Sequence, residues 1–146
     1  MKKFLILLLL SNVALACNSV DKNKNQPKSD AYNFENQDLE FAYFASGCFW
    51  CVEAIYENVK GVKEVISGYS GGHTKNPTYK ASNTGKTGHA EAVKVIYDPK
   101  VVSFKTLVDV YFASQNVTQV NGQGPDRGSQ YRSILFYQND EEKQII

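Results

Sequence analysis

Between Leu39 and Gln138 the apolar residues change their spacing several times, and that succession of periods most restricts the folds open to the chain. The stretch EFAYFAS (40–46) alternates and is rich in aromatic residues, which predicts a strand. Val52, Ile55, Tyr56 and Val59 then recur at helical spacing, with Gly61 as a stop. VKEVISGY (62–69) returns to strand texture, and SGGHTKNPTYKASNTGKTGH (70–89) is a long loop dense in Gly, Ser, Thr, Asn and Pro. Loops of that length inside a compact domain are usually functional or disordered. AEAVKVIY (90–97) is β-branched and alternating, Asp98-Pro99 predicts a turn, and Phe104, Leu107, Val108, Tyr111 and Phe112 predict a helix capped by Ser103. After a second polar loop, ASQNVTQVNGQGPDRGSQ (113–130), YRSILFYQ predicts a last strand, and Asn139 with Glu142 forms a capping pattern for one more short helix.

The order is β-α-β-β-α-β, an α+β arrangement of the ferredoxin-like, split βαβ kind, with two helices on one face of a sheet. It leaves open whether the two long loops meet at one end. A last helix of two turns is marginal by itself, so a longer protein, of which this chain lacks the C-terminal part, is expected.

The 146 residues fit one domain. Sixteen basic and 15 acidic residues give a formal charge of +1, so no basic field points to nucleic acid or to an anionic membrane surface. At the N-terminus, Lys2 and Lys3 precede an uninterrupted apolar run, Phe4–Leu10, and Ala14-Leu15-Ala16 offers a small-x-small cleavage site. Residues 1–16 therefore read as a signal peptide. Cleavage would leave Cys17 first, as in bacterial lipoproteins, so lipidation of Cys17 and a place in the cell envelope or periplasm are expected, with plain secretion as the alternative. Residues 17–38, rich in Asn, Lys, Asp and Gln and poor in aliphatics, read as a tether, and residues 39–146 as the globular domain. A lipid anchor would be the sole membrane attachment, and a monomer is expected.

GCFWC (47–51) sits where the first strand should feed the first helix, and it holds two of the three cysteines and the single tryptophan. A cysteine at the start of a helix meets unpaired backbone N–H groups and the positive end of the macrodipole, both of which favour thiolate. Cys48 has that position. Residues i and i+3 of a helix are close enough for a disulfide, so Cys51 can resolve what Cys48 attacks. Three other chemistries use these residue types. Zinc held by Cys48, Cys51, His73 and His89 would need separate loops to converge, and no metal is expected. An acyl-transfer set of Cys48, His89 and Glu91 leaves Cys51 and Trp50 idle. A thioredoxin-like exchanger would use the C-x-x-C pair, but its fold has another element order.

The string GCFWCVEAIYENVKGVKEVISGYSGGHTKNPTYK, followed by TGHAEAVKVIYDP and GQGPDRGSQYRS, resembles the peptide methionine sulfoxide reductases of the A type, from about Phe41 to Gln138. The resemblance implies reduction of methionine S-sulfoxide, free or in protein, with no bound cofactor and with electrons from a thioredoxin-like protein or another dithiol. It implies Cys48 as the nucleophile and Glu91 as the acid that protonates the sulfoxide oxygen. A carboxyl in an apolar pocket has a raised pKa, which suits that role. Phe49 and Trp50 correspond to the aromatic wall for the substrate methyl group, Tyr79 and Tyr131 to phenols at the oxygen, and Asp126 to an aspartate at the rim. His89 is read only as a brace.

After oxygen transfer Cys48 would be a sulfenic acid, which condenses with a nearby thiol. Many members resolve it with a more distant cysteine, whereas this chain has Asn83 in that loop and no cysteine beyond Cys51. Cys51 is left as the resolver, apart from a dithiol supplied in trans. Gln115-Asn116-Val117 stands where the family usually has His-Asp-Pro, and Gln123-Gly124-Pro125-Asp126 where it has Gln-Gly-Asn-Asp. An inactive, truncated relative that binds oxidised or Met-rich segments is the alternative from another class.

Overall fold

The computed structural model describes residues 38–146. The signal peptide, Cys17 and all but the last residue of the tether lie outside the described residues.

The elements follow the alternation of period. In order they are β1 (Glu40–Ala45), α1 (Phe49–Glu57), β2 (Val62–Ser70), the short α2 (Tyr79–Ser82), β3 (Ala90–Tyr97) and α3 (Phe104–Ser114). A two-residue hairpin, β4 (Gly122–Gln123) and β5 (Asp126–Arg127), a 3-10 turn (Ser129–Tyr131), β6 (Ile134–Leu135) and α4 (Asp140–Ile145) complete the chain. The four-stranded sheet has the order β2-β3-β1-β6, and every neighbouring pair is antiparallel. Since β1 and β2 both oppose β3, they run parallel to each other, and α1 is the crossover between them. The expected ferredoxin-like split βαβ core is therefore present.

This topology answers where the long loops go. Ala45 at the end of β1 pairs with Ile134 at the start of β6, and Ser70 at the end of β2 pairs with Ala90 at the start of β3. The β1–α1 junction, loop 71–89 and loop 115–133 all open at one end of the sheet.

The core lies between the sheet and the helices α1 and α3. Phe44 of β1 is fully buried at its centre, with the rings of Tyr56 at 4.9 Å, Phe104 at 6.2 Å and Tyr111 at 5.8 Å. Leu107, Val108, Val93 and Val95 fill the remaining space. The two buried tyrosines satisfy their hydroxyls on backbone: Tyr56 donates to the Leu107 carbonyl and Tyr111 to the Ala45 carbonyl, each at 3.0 Å. Ser103 caps α3 by accepting from the Thr106 N–H at 3.1 Å, and Asn139 caps α4 by accepting from the Glu142 N–H at 2.8 Å. Glu142 reaches back to the Gln138 N–H, one residue before the cap, rather than to Asn139 itself.

Three segments differ from the sequence expectation. Loop 70–89 contains α2, one turn set by Thr78, whose hydroxyl accepts from the Ala81 N–H at 3.3 Å. Loop 113–130 contains the β4–β5 hairpin. The last strand pairs only at Ile134–Leu135, because the 3-10 turn ending at Tyr131 occupies the start of the alternating run.

Replacing Leu107, fully buried under the aromatic cluster, by alanine should lower the unfolding free energy by about 2–5 kcal/mol. Tyr56→Phe, which removes the side-chain donor to the Leu107 carbonyl, should cost about 1 kcal/mol, and urea titrations of both variants would measure the difference.

Candidate active site

At the open end of the sheet, Gly47 has a positive φ of 82°, and a Cβ there would lie 2.7 Å from the Gln123 Cβ. Only glycine lets the chain turn from β1 into α1 while loop 115–133 packs this closely. Cys48 follows as the N-cap of α1, half-buried, and its carbonyl accepts from the N–H groups of Cys51 at 3.1 Å and Val52 at 3.2 Å. Cys51 lies one turn further on and is exposed.

The first N–H of the helix, that of Phe49, donates to Glu91 Oε2 at 3.0 Å. Glu91 continues the row Val93, Val95 and Tyr97 on the helix-covered face of β3, so a carboxyl stands in a position that the pattern reserves for an apolar side chain. It is 1% exposed, and its Oε1 is buried without a protein partner. Burial pushes its pKa up, the Phe49 N–H partly opposes this, and the charge of Asp126 adds to the rise. The site thus holds a buried acid with one free oxygen, set at the positive end of a helix beside a cysteine.

Aromatic rings wall this pocket. Phe49 is buried and Trp50 is 59% exposed, with their ring centres 5.2 Å apart. Tyr79, the first residue of α2, lies nearly parallel to both, 6.2 Å from Phe49 and 5.6 Å from Trp50. Tyr131 ends the 3-10 turn and is half-buried; burial raises its pKa, and the charges of Glu91, Tyr79, Asp126 and Cys48 raise it further. Asp126 is in β5. The thiol of Cys51 is pushed up first by negative charge on Cys48, then by burial, by a hydrogen bond to Cys48 and by the charge of Asp126. Cys48, Phe49, Trp50, Cys51, Tyr79, Glu91, Asp126 and Tyr131 therefore come together, although they derive from four separate segments.

Tyr69 joins them and was not singled out from sequence. It pairs directly with Glu91 across the β2–β3 ladder, and its ring lies 5.5 Å from Phe49. Its pKa rises through burial and through the charges of Glu91, Tyr79 and Tyr131. Alternation puts Tyr69 on the same face as Val65, but no feature of one strand reveals the register that sets it opposite Glu91.

Polar side chains hold the loops in place. Gln123 donates to Gln115 Oε1 at 3.1 Å and to the Asn116 carbonyl at 3.3 Å, and accepts from the Asn116 N–H at 3.1 Å. Arg132 donates to the carbonyls of Ser129 at 2.7 Å and Gly88 at 2.9 Å, joining the two long loops. Among the described residues, no three of His, Cys, Asp and Glu gather as a metal-binding group; His73 and His89 instead lie within the fastening of loop 71–89.

The chain is 55% identical over 104 residues to the peptide methionine sulfoxide reductase MsrA of Pasteurella multocida, an alignment covering 71% of the chain and 60% of that protein. With the protein of the same description from Methanosarcina acetivorans it shares 50% over 119 residues, covering 82% of the chain and 63% of the relative. The chain thus spans less than two thirds of the length of either. Among solved structures, methionine sulfoxide reductase A of Corynebacterium diphtheriae superposes with a TM-score of 0.69 at 36% identity, covering 73% of the chain and 54% of that structure. Reduced Mxr1 of Saccharomyces cerevisiae gives 0.68 at 34%, covering 73% and 66%. The pattern of one family, described as peptide methionine sulfoxide reductase, runs over residues 40–146, from the first residue of β1 through the whole of the gathered site. On that match, and on identities near one half, the chain belongs to the peptide methionine sulfoxide reductase family.

Proposed function

We propose that this chain reduces methionine S-sulfoxide, free or within proteins, to methionine. The observation that carries the reading is the buried Glu91 carboxyl with a raised pKa and a free Oε1, bonded to the first N–H of the helix that Cys48 caps. A sulfoxide oxygen leaves only if it is protonated, and a carboxylic acid kept neutral in a dry pocket can supply that proton.

In the proposed reaction the Cys48 thiolate attacks the sulfoxide sulfur and forms an S–S bond while Glu91 delivers its proton to the oxygen; that oxygen then moves as OH to the Cys48 sulfur, as the S–S bond and the bond from the substrate sulfur to oxygen break. The products are methionine and Cys48 sulfenic acid, so the substrate gains the two electrons that Cys48 loses. Phe49 and Trp50 take the methyl group on their apolar faces, Tyr79 and Tyr131 donate hydrogen bonds to the oxygen, and Asp126 borders the entrance. Cys51 then attacks the sulfenic sulfur, water leaves, and a Cys48–Cys51 disulfide forms. A dithiol, from a thioredoxin-like protein, exchanges with that disulfide and restores both thiols. The exposure of Cys51 leaves its sulfur where an incoming donor can reach the disulfide. No bound cofactor enters the scheme.

On the sequence of residues 1–17 we place this activity in a bacterial cell envelope, with Cys17 as the lipid-bearing residue and oxidised envelope proteins as substrates. Mass spectrometry of the membrane fraction would find a diacylated N-terminal Cys17, and an unmodified Cys17 in the periplasm would sink the anchor.

Three outcomes test the chemistry. Supplied with dithiothreitol and racemic methionine sulfoxide, the protein should consume only the S epimer on chiral chromatography, and Cys48→Ser should consume neither; a folded wild type without turnover would refute the reading. Cys51→Ser should release one methionine per chain and then stop when a thioredoxin-like donor is the reductant, with a dimedone-reactive sulfenic acid accumulating on Cys48. Glu91→Gln should slow turnover by roughly a hundredfold or more. It should also alter stability with pH. The folded state holds the Glu91 proton more tightly, so the stability from burying the neutral acid is complete below the ordinary glutamate range and is lost as pH rises through the raised pKa. Glu91→Gln should therefore gain on the wild type in urea titrations as pH increases through that window.

A further inference from the structure

Loop 71–89 is a closed loop fastened at its neck. Residues 72–74 lie against residues 87–89, and three hydrogen bonds join them. The His73 N–H donates to the Thr87 carbonyl at 3.1 Å, the Gly72 N–H donates to His89 Nδ1 at 3.2 Å, and His89 Nε2 meets the Thr74 carbonyl at 2.9 Å. Two of the three pass through one imidazole. Because Nδ1 accepts and a carbonyl cannot donate, the ring must be neutral and carry its proton on Nε2.

The packing around the ring is as specific as the bonds. A Cβ on Gly72 would collide with the His89 ring, and one on Gly88 would come within 2.8 Å of His73 Nδ1, so the two strands of the neck meet backbone against imidazole. Thr87, itself buried, accepts from the His89 N–H at 3.3 Å and holds the backbone from which the ring projects. His89 stands immediately before β3 and two residues before Glu91, so the neck leads directly into the strand that carries the buried carboxyl.

The contents of the loop explain why a rigid neck matters. Residues 75–86 carry α2, and α2 begins with Tyr79, which is 45% exposed, its ring stacked on Trp50 and Phe49. A one-turn helix has little stability of its own, so the position of the Tyr79 ring is set by where the neck fixes the two ends of its loop.

We propose that His89 is the positioning residue for Tyr79: its neutral imidazole clasps Gly72 to Thr74 and so holds the phenol over the pocket formed by Phe49, Trp50 and Glu91. This rests on the reductase reading above for its consequence in catalysis, but not for the clasp itself.

The test separates the two. In the wild type, the nitrogen-15 shifts of His89 should show a protonated Nε2 and an unprotonated Nδ1. His89→Ala should shift the emission of Trp50, the single tryptophan, in the same direction as Tyr79→Leu does. Neither readout needs turnover. If the reductase reading holds, His89→Ala should lower kcat/KM on the order of ten- to a hundredfold through misplacement of Tyr79. It should lower it little further when Tyr79 is already leucine, since the two act as one unit. His89→Asn, which can still accept from Gly72, should recover part of the loss and keeps the test usable if the alanine variant folds poorly. An Nδ1-protonated ring, an unchanged Trp50 emission or full additivity of His89→Ala with Tyr79→Leu would each overturn the proposal. A wild type with the expected tautomer and emission but without turnover would refute the reductase reading and leave the clasp standing.

Discussion

The hydrogen bond from the Phe49 N–H to Glu91 Oε2 is the contact on which the arrangement of this domain depends. It joins the start of α1 to the entry of the central strand β3, two elements whose relative placement decides whether cysteine and carboxyl share a pocket. Taking a carboxyl out of water is costly unless it is neutral or well bonded, and here a single N–H at the positive end of a helix meets one oxygen while the other stays unpaired. The surrounding core must carry that cost. It does so with the stack of Phe44, Tyr56, Phe104 and Tyr111, whose hydroxyls are satisfied on backbone and whose rings clamp both helices to the sheet.

Topology supplies the remaining convergence. In an antiparallel sheet of order β2-β3-β1-β6, the ends of β1 and β2 and the starts of β3 and β6 coincide, so the Gly47–Cys48 turn and both long loops share one end whatever their sequences. The loops need only enough internal order to aim a few side chains. In loop 115–133 that order comes from amides: Gln123 ties Gln115 and Asn116 and packs under Gly47.

The parts legible in sequence are those governed by local rules. Period and caps gave β1, β3 and α3 nearly to the residue, since Ser103 and the alternation of AEAVKVIY act within a few positions of themselves, while α1 begins at Phe49, three residues before its first periodic apolar residue, Val52. The short pieces escaped. The α2 turn depends on Thr78 accepting from Ala81, a signal lost in a run where Thr, Ser and Asn are everywhere, and β6 shortens because the Ser129–Tyr131 turn competes for its first residues. At the site, the residues flanked by distinctive strings could be named in advance, but Tyr69 could not, because its place depends on a cross-strand register with Glu91. Even the burial of Glu91 needed the structure, since the same carboxyl on the other face of β3 would have been an ordinary surface charge.

The two cysteines of GCFWC differ more than their spacing implies. Cys48 is half-buried at the helix cap, beside the pocket, whereas Cys51 is exposed and its thiol is pushed further up first by negative charge on Cys48. Under the proposed reaction this asymmetry orders the steps. The half-buried member meets the sulfoxide group beside Phe49, Trp50 and Tyr79. The outer member must pass electrons to a partner too large to enter, and in the disulfide its sulfur is the accessible one. One turn of helix therefore separates a dry site for the sulfoxide from a wet site for the reductant, and the length of that turn is fixed by the i to i+3 spacing that lets the two sulfurs bond at all.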